Sequence, residues 1–244
     1  MPPFDNTVER ERLDPGSLPC SHCDLGELAF CSGLSPDDIR RLVSILGQSQ
    51  FDSHTTLFRE GDPALHLYSI SQGAVKLYKL LSDGRRQITA FLFAGDFFGL
   101  SIDGGYAYTA EAMTPVNLCR FPRRKLEALF EEVPKLEKRL LGATTNELAA
   151  AHEQMLLLGR KTAREKVATF LTMLVRRLSR HGETPSLIFL PMSRSDIADY
   201  LGLTIETVSR VLTSFKREGL IALPDASHVA IRQRDDLVRI AEGA

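Results

Sequence analysis

The side chains best suited to hold a metal in this sequence are its four cysteines, Cys20, Cys23, Cys31 and Cys119. Two residues separate the first pair, so both thiolates can reach one metal centre from a single turn. Seven residues separate Cys23 from Cys31, and Cys119 lies 88 positions further on. Four sulfur donors are the number that holds an iron–sulfur cluster or a tetrahedral zinc ion, and spacing alone does not choose between them. Two structural disulfides would need an oxidising compartment. The opening Met1-Pro2-Pro3-Phe4-Asp5 lacks the apolar core of a secretory signal, so a reducing cytoplasm is the expected address. Four unrelated buried thiols would leave the close pairing of Cys20 with Cys23 unexplained.

A second set of residues is suited to reading a nucleic acid. Ser193 and Asp196 have capping-box spacing and open one helix. Gly202 offers the permissive backbone of a tight turn, and Thr204 can cap a second helix. There Val208, Val211, Leu212 and Phe215 follow the spacing of a buried stripe. Glu206, Ser209, Arg210, Thr213 and Lys216 are left on the opposite face. Arg can bond guanine O6 and N7 together, Glu can accept from cytosine N4, and Ser adapts to either. Helix-turn-helix proteins place such residues near the start of the second helix. Ser193, Thr204, Glu206, Ser209, Arg210 and Lys216 therefore form the candidate DNA-binding set. An ordinary helical hairpin with a Glu206 and Arg210 surface ion pair has the same spacing.

The elements that must position these groups can be read in outline. Over 244 residues, 43% hydrophobic and 25% charged content are ordinary for a globular protein. No apolar run approaches the roughly 18 residues of a membrane span. Residues 160–244 carry 14 Lys and Arg against 10 Asp and Glu, leaving 16 against 21 over residues 1–159. A mildly basic C-terminal part on an acidic body suits a polyanion-binding module. Residues 1–19, with four prolines and no periodicity, read as a flexible arm. Ser35-Pro36-Asp37-Asp38 opens a short helix. Short β-like runs follow over 67–70, 74–81, 87–93 and 106–121. Glycines punctuate them, and Ser82-Asp83-Gly84 marks a hairpin. That pattern predicts an antiparallel roll or sandwich over 20–121. A helical region covers 122–160, broken near Pro134. Its Leu141, Thr144, Leu148, Ala151, Met155 and Leu158 form an uncharged heptad seam suited to a homodimer. A further helix over 162–180, stopped by His181-Gly182, leads into the helix-turn-helix and a hairpin over 161–244.

The residues LGLTIETVSR around Glu206, Ser209 and Arg210 closely resemble the recognition element of the cyclic-AMP receptor/FNR superfamily. The E-x-x-S-R form is that of its FNR/FixK branch. The resemblance covers nearly the whole chain. It implies an α+β architecture: an N-terminal double-stranded β-helix (jelly-roll) sensor domain, a long dimerisation helix and a C-terminal winged helix-turn-helix. It implies a non-enzymatic, oxygen-responsive transcription regulator that binds two-fold TTGAT…ATCAA DNA as a dimer. It also implies a 4Fe–4S cluster on Cys20, Cys23, Cys31 and Cys119, with a zinc-stabilised constitutive regulator as the alternative. The seven-residue gap before Cys31 is wider than in enterobacterial-type proteins and looks like that of FnrN, FnrL and cysteine-bearing FixK-like proteins. The Asp83-Gly84-Arg85-Arg86 hairpin is expected to be an exposed tip; family resemblance associates it with RNA polymerase, and a solvated turn is the alternative reading.

Other ligands find less support. A cyclic-nucleotide phosphate cassette needs a Gly-Glu pair and a later Arg. Phe98-Gly99-Leu100-Ser101 lacks the acid, and Tyr106-Ala107-Tyr108-Thr109 lacks the Arg. A buried phosphate would have no counter-ion, so no cyclic nucleotide is expected. His54 and His66 are the roll's candidate haem ligands, and a lone His is more often structural. No nucleophile–base arrangement or phosphate loop points to an enzyme.

Overall fold

The computed structural model describes residues 25–26, 29–101, 103–178 and 187–243. The arm over 1–19, Cys20, Cys23 and the His181-Gly182 helix stop lie outside the described residues. Helix α1 (Pro36–Ile45) begins as its sequence dictates. The Ser35 hydroxyl accepts the Asp38 N–H, Pro36 occupies the first turn, and Asp37 and Asp38 face the positive helix end.

Strands β1 (Gly47–Phe51), β2 (Thr56–Phe58), β3 (His66–Gln72) and β4 (Ala74–Leu80) open the roll. Strands β5 (Arg86–Phe93), β6 (Phe97–Phe98), β7 (Thr109–Ala112) and β8 (Val116–Pro122) complete it. Two antiparallel sheets result, ordered β1-β8-β3-β6 and β2-β7-β4-β5. They enclose a core of Ile70, Val75, Leu77, Phe98, Ala110, Val116 and Leu118. The turn between β3 and β4 requires glycine. Gly73 has φ +91°, and a Cβ there would stand 2.3 Å from the Pro115 carbonyl oxygen.

Helices α2 (Arg123–Glu132) and α3 (Pro134–Arg160) follow, separated at Val133. The last third contains α4 (Ala163–Leu178), β9 (Leu187–Phe189), α5 (Arg194–Leu201) and α6 (Ile205–Arg217). It ends with β10 (Ile221–Ala222), β11 (His228–Ile231) and α7 (Arg234–Glu242). The order β10-β11-β9 forms the small antiparallel wing. Val167, Phe170, Leu171 and Leu174 of α4 are buried as their spacing predicts. The roll and the C-terminal part share this core, because strand alternation sends Ala74 and Tyr78 outward from the roll. Ile88 and Phe91 of β5 join them against α4, α5 and α6. The Phe91 ring lies 5.0 Å from that of Tyr200.

Candidate DNA interface and cysteine centre

The helix-turn-helix is assembled by local chemistry. The Ser193 hydroxyl accepts the Asp196 N–H at 3.0 Å, and the Asp196 carboxylate accepts the Ser193 N–H at 3.0 Å. Ser193 also donates its hydroxyl to Asp196 at 2.7 Å. That hydroxyl is thus committed to the cap, which makes Ser193 first a capping residue. Burial pushes the Asp196 carboxyl up, but bonds from Ser193 and Lys76 and the Lys76 charge outweigh it and hold it low. Gly202 ends α5 in the left-handed region at φ 60°. Thr204 then caps α6, accepting the Thr207 N–H.

Val208, Leu212 and Phe215 of α6 are buried. The guanidinium of Arg164 lies 4.8 Å from the Phe215 ring centroid and pairs with Glu218, whose carboxyl is drawn down to about 2. The outward face carries exposed Glu206, Ser209, Arg210, Thr213 and Lys216. A bond to its own backbone N–H, then one from the Thr204 hydroxyl, holds Glu206 below the usual carboxylate range. It presents an acceptor on the same exposed side of α6 as Arg210, whose Nη2 lies 3.4 Å from the Thr207 hydroxyl. Ile205, at the first position of α6, is an exposed apolar residue outside the buried stripe.

Cys119 sits within β8, opposite Gln48 of β1 and Ser69 of β3. Cys31 lies in the turn preceding α1. Both pack, half-buried, against one apolar cluster that includes Phe30, Leu42, Phe121, Leu126 and Leu136. Phe30 stacks on Phe97 with centroids 4.6 Å apart. The cluster reaches the root of α3 through Leu136. One turn on, Arg139 Nη1 donates to the Ala29 carbonyl of the cysteine turn at 3.0 Å. Among the described residues no group of three His, Cys, Asp or Glu side chains could hold a metal ion. Two of the four candidate sulfur donors therefore pack against one apolar cluster on the outer face of the β1-β8-β3-β6 sheet, and the other two lie outside the described residues.

The seam residues lie along one side of α3. Leu141, Leu148 and Met155 are 66%, 57% and 61% exposed, and Thr144 and Ala151 are exposed between them. Leu158 differs, packing within the chain against the core of the C-terminal part and close to Gly202. The hairpin tip also differs from expectation. Asp83 and Arg85 pair with each other in solvent, whereas Arg86 turns inward to Asp196 and Asp199. Arg86 is half-buried because those two acids on α5 lie against the strand where it begins.

Known proteins share these features. The family described as "Cyclic nucleotide-binding domain" matches residues 48–133, and "Bacterial regulatory proteins, crp family" matches residues 190–221. The nitrogen fixation regulation protein FixK of Bradyrhizobium diazoefficiens is 41% identical over 86% of this chain and 89% of its own. The fumarate and nitrate reduction regulatory protein of Escherichia coli is 30% identical over 99% of this chain and 97% of its own. The solved structure of FixK2 from Bradyrhizobium japonicum superposes with a TM-score of 0.75 at 39% identity. It covers 80% of this chain and 97% of that one. No described helix is long and apolar enough to cross a membrane. With its roll, long helix and winged helix-turn-helix, the chain belongs to the Crp/FNR family as a DNA-binding transcription regulator of the FNR and FixK type, and is not an enzyme.

Proposed function

We propose that this regulator senses oxygen through a 4Fe–4S cluster held by Cys20, Cys23, Cys31 and Cys119. It binds two-fold TTGAT…ATCAA DNA as a dimer while that cluster is intact. The observation that carries the reading is the convergence of Cys31 and Cys119 on the apolar cluster that also holds the root of α3. Half-buried thiols packed on the outer face of the roll fit a sulfur-ligated group. When bound, the cluster would supply the reactivity toward oxygen. The protein's own part is to transmit the state of the cysteine turn. Phe30 is wedged against Phe97 and Phe121, and Arg139 ties the Ala29 carbonyl to α3.

DNA affinity measured without oxygen is expected to fall sharply once the protein is exposed to air. Equal affinity in both conditions would favour the zinc-stabilised constitutive reading. Arg139→Met is expected to leave the anaerobic iron content unchanged and to weaken DNA binding about tenfold, as losing a charge-assisted hydrogen bond does. Equal iron with equal affinity would remove Arg139 from the pathway.

The exposed leucines of α3 support the homodimer. Leu148→Asp would place an unpaired charge in the seam and is expected to weaken the dimer on the order of a hundredfold. Sedimentation reads this directly, and an unchanged dimer would displace the seam from Leu148. Sedimentation with and without the cluster also separates two versions of the switch. Identical dimers in both states leave reorientation, not assembly, as the controlled step. The seam's lack of charge at its core positions favours that outcome.

No cyclic nucleotide is needed in this account. The roll interior is filled by stacked aromatics, with Phe58 and Tyr106 centroids 3.6 Å apart and the Tyr106 hydroxyl donating to the His66 carbonyl. The solvated tip over 82–85, flanked by exposed Leu80 and Leu81, is the surface proposed for RNA polymerase.

A further inference from the structure

Five charged side chains meet where the roll touches the first helix of the helix-turn-helix. Lys76 Nζ lies 3.0 Å from Glu111 Oε1 and 3.0 Å from Asp196 Oδ1. Arg86 Nη2 lies 2.8 Å from Asp196 Oδ1 and 2.7 Å from Asp199 Oδ2, and its Nε donates to Asp199 at 2.8 Å. Gln87 Nε2 donates to the Asp199 carbonyl at 2.7 Å. From α3, Gln154 Nε2 donates to the Tyr200 carbonyl at 2.7 Å.

The side chains of Lys76 and Asp196 are only 6% and 10% exposed. A lysine in mid-strand is costly to bury unless an acid meets it. Glu111 of the neighbouring strand supplies one acid, but Asp196 comes from 120 positions away and only in this docked arrangement. The same Asp196 carboxylate closes the Ser193 capping box. The group that starts α5 therefore also grips the roll, and α6 follows α5 after the tight turn at Gly202.

We propose that Lys76, Arg86, Asp196 and Asp199 are positioning residues for DNA recognition. They clamp α5 to the roll and so set the direction in which α6 presents Glu206, Ser209 and Arg210. On a two-fold site both copies of α6 must enter their grooves together, and any swing of the helix-turn-helix must be frozen on binding. On a single half-site one α6 docks however the roll lies. The clamp therefore contributes to two-site engagement and to spacing selectivity, not to reading a half-site. This inference rests on the dimeric DNA-binding reading and is independent of the metal.

The test uses the full chain and the rim of the cluster, where Arg86 and Asp199 are 24% and 28% exposed. Affinities are measured for three duplexes: two TTGAT…ATCAA half-sites at their usual spacing, the same pair with one base pair added, and a single half-site. Arg86→Gln is expected to bind the first about tenfold more weakly, as loss of a charge-assisted contact does. It should bind the single half-site unchanged and discriminate less against the altered spacing. Asp199→Asn should behave alike, the double variant should be no worse than either single one, and Arg86→Lys should recover part of the loss. Half-site binding also reports that each variant is folded. Equal loss on full and half sites, no loss, or tighter binding would each overturn the proposal. A wild-type protein that does not prefer the two-fold duplex would overturn the dimeric reading, and this proposal with it. A wild type that does, with variants that keep the preference, overturns the clamp alone.

Discussion

Cys119→Ser is expected to abolish activation in the absence of oxygen and to leave protein without bound iron. The substitution is conservative in shape. Residue 119 lies inside β8, between Gln48 and Ser69, and its backbone ladder does not depend on the sulfur. What would be lost is one of the four proposed donors, and a hydroxyl does not replace a thiolate toward iron. Cys31→Ser should do the same from the turn before α1, as should Ser at Cys20 and Cys23. The roll should stay folded in each variant, because the adjoining core of Phe30, Phe121, Leu126 and Leu136 is untouched. Iron content, thermal melting and transcription from a TTGAT…ATCAA promoter together check this. A variant with normal anaerobic activation would remove that cysteine from the ligand set.

Arg210→Ala is expected to cost about 1–3 kcal/mol at a cognate guanine and to relax discrimination at that position. Arg210 is exposed and contributes nothing to the buried stripe of Val208, Leu212 and Phe215, so stability should not change. Lys216 is the comparison. It lies six residues further along the exposed side of α6, suited to the phosphate backbone, and Lys216→Ala should weaken all sequences alike and reduce the salt dependence. Binding to a set of single-base variants separates the two effects. An Arg210→Ala protein with unchanged base preference would count against α6 as the reading helix.

Local signals made much of this fold legible. Ser35 with Pro36, the Ser193 and Asp196 box, Gly202 and Thr204 are decided by neighbours within four residues, and each is found where its chemistry requires. The roll was legible through short β-like runs punctuated by glycines and through the Ser82-Asp83-Gly84 hairpin, but β2 and β6, at three and two residues, are too short for such a run to register. Helix α7 escaped notice because only Leu237 and Ala241 are buried along it, against α4. The charged clamp was hidden for a stronger reason. Along β4, alternation makes Lys76 an outward residue, and outward lysines usually meet water. Only the docking of α5, fixed by contacts more than a hundred positions apart, turns that face into an interior. The tie between Arg139 and Ala29 is hidden in the same way, since a backbone carbonyl partner leaves no mark in the sequence. The four cysteines were visible as a set because their side-chain type is rare here, but which metal such a set would hold depends on electronic preference, not on spacing.

Metal content and colour of the full chain purified without oxygen test the oxygen-sensing reading most directly. The account predicts brown protein carrying iron and sulfide on its four cysteines, bleaching in air together with loss of TTGAT…ATCAA binding. Colourless protein with stoichiometric zinc and the same DNA affinity in air would contradict it.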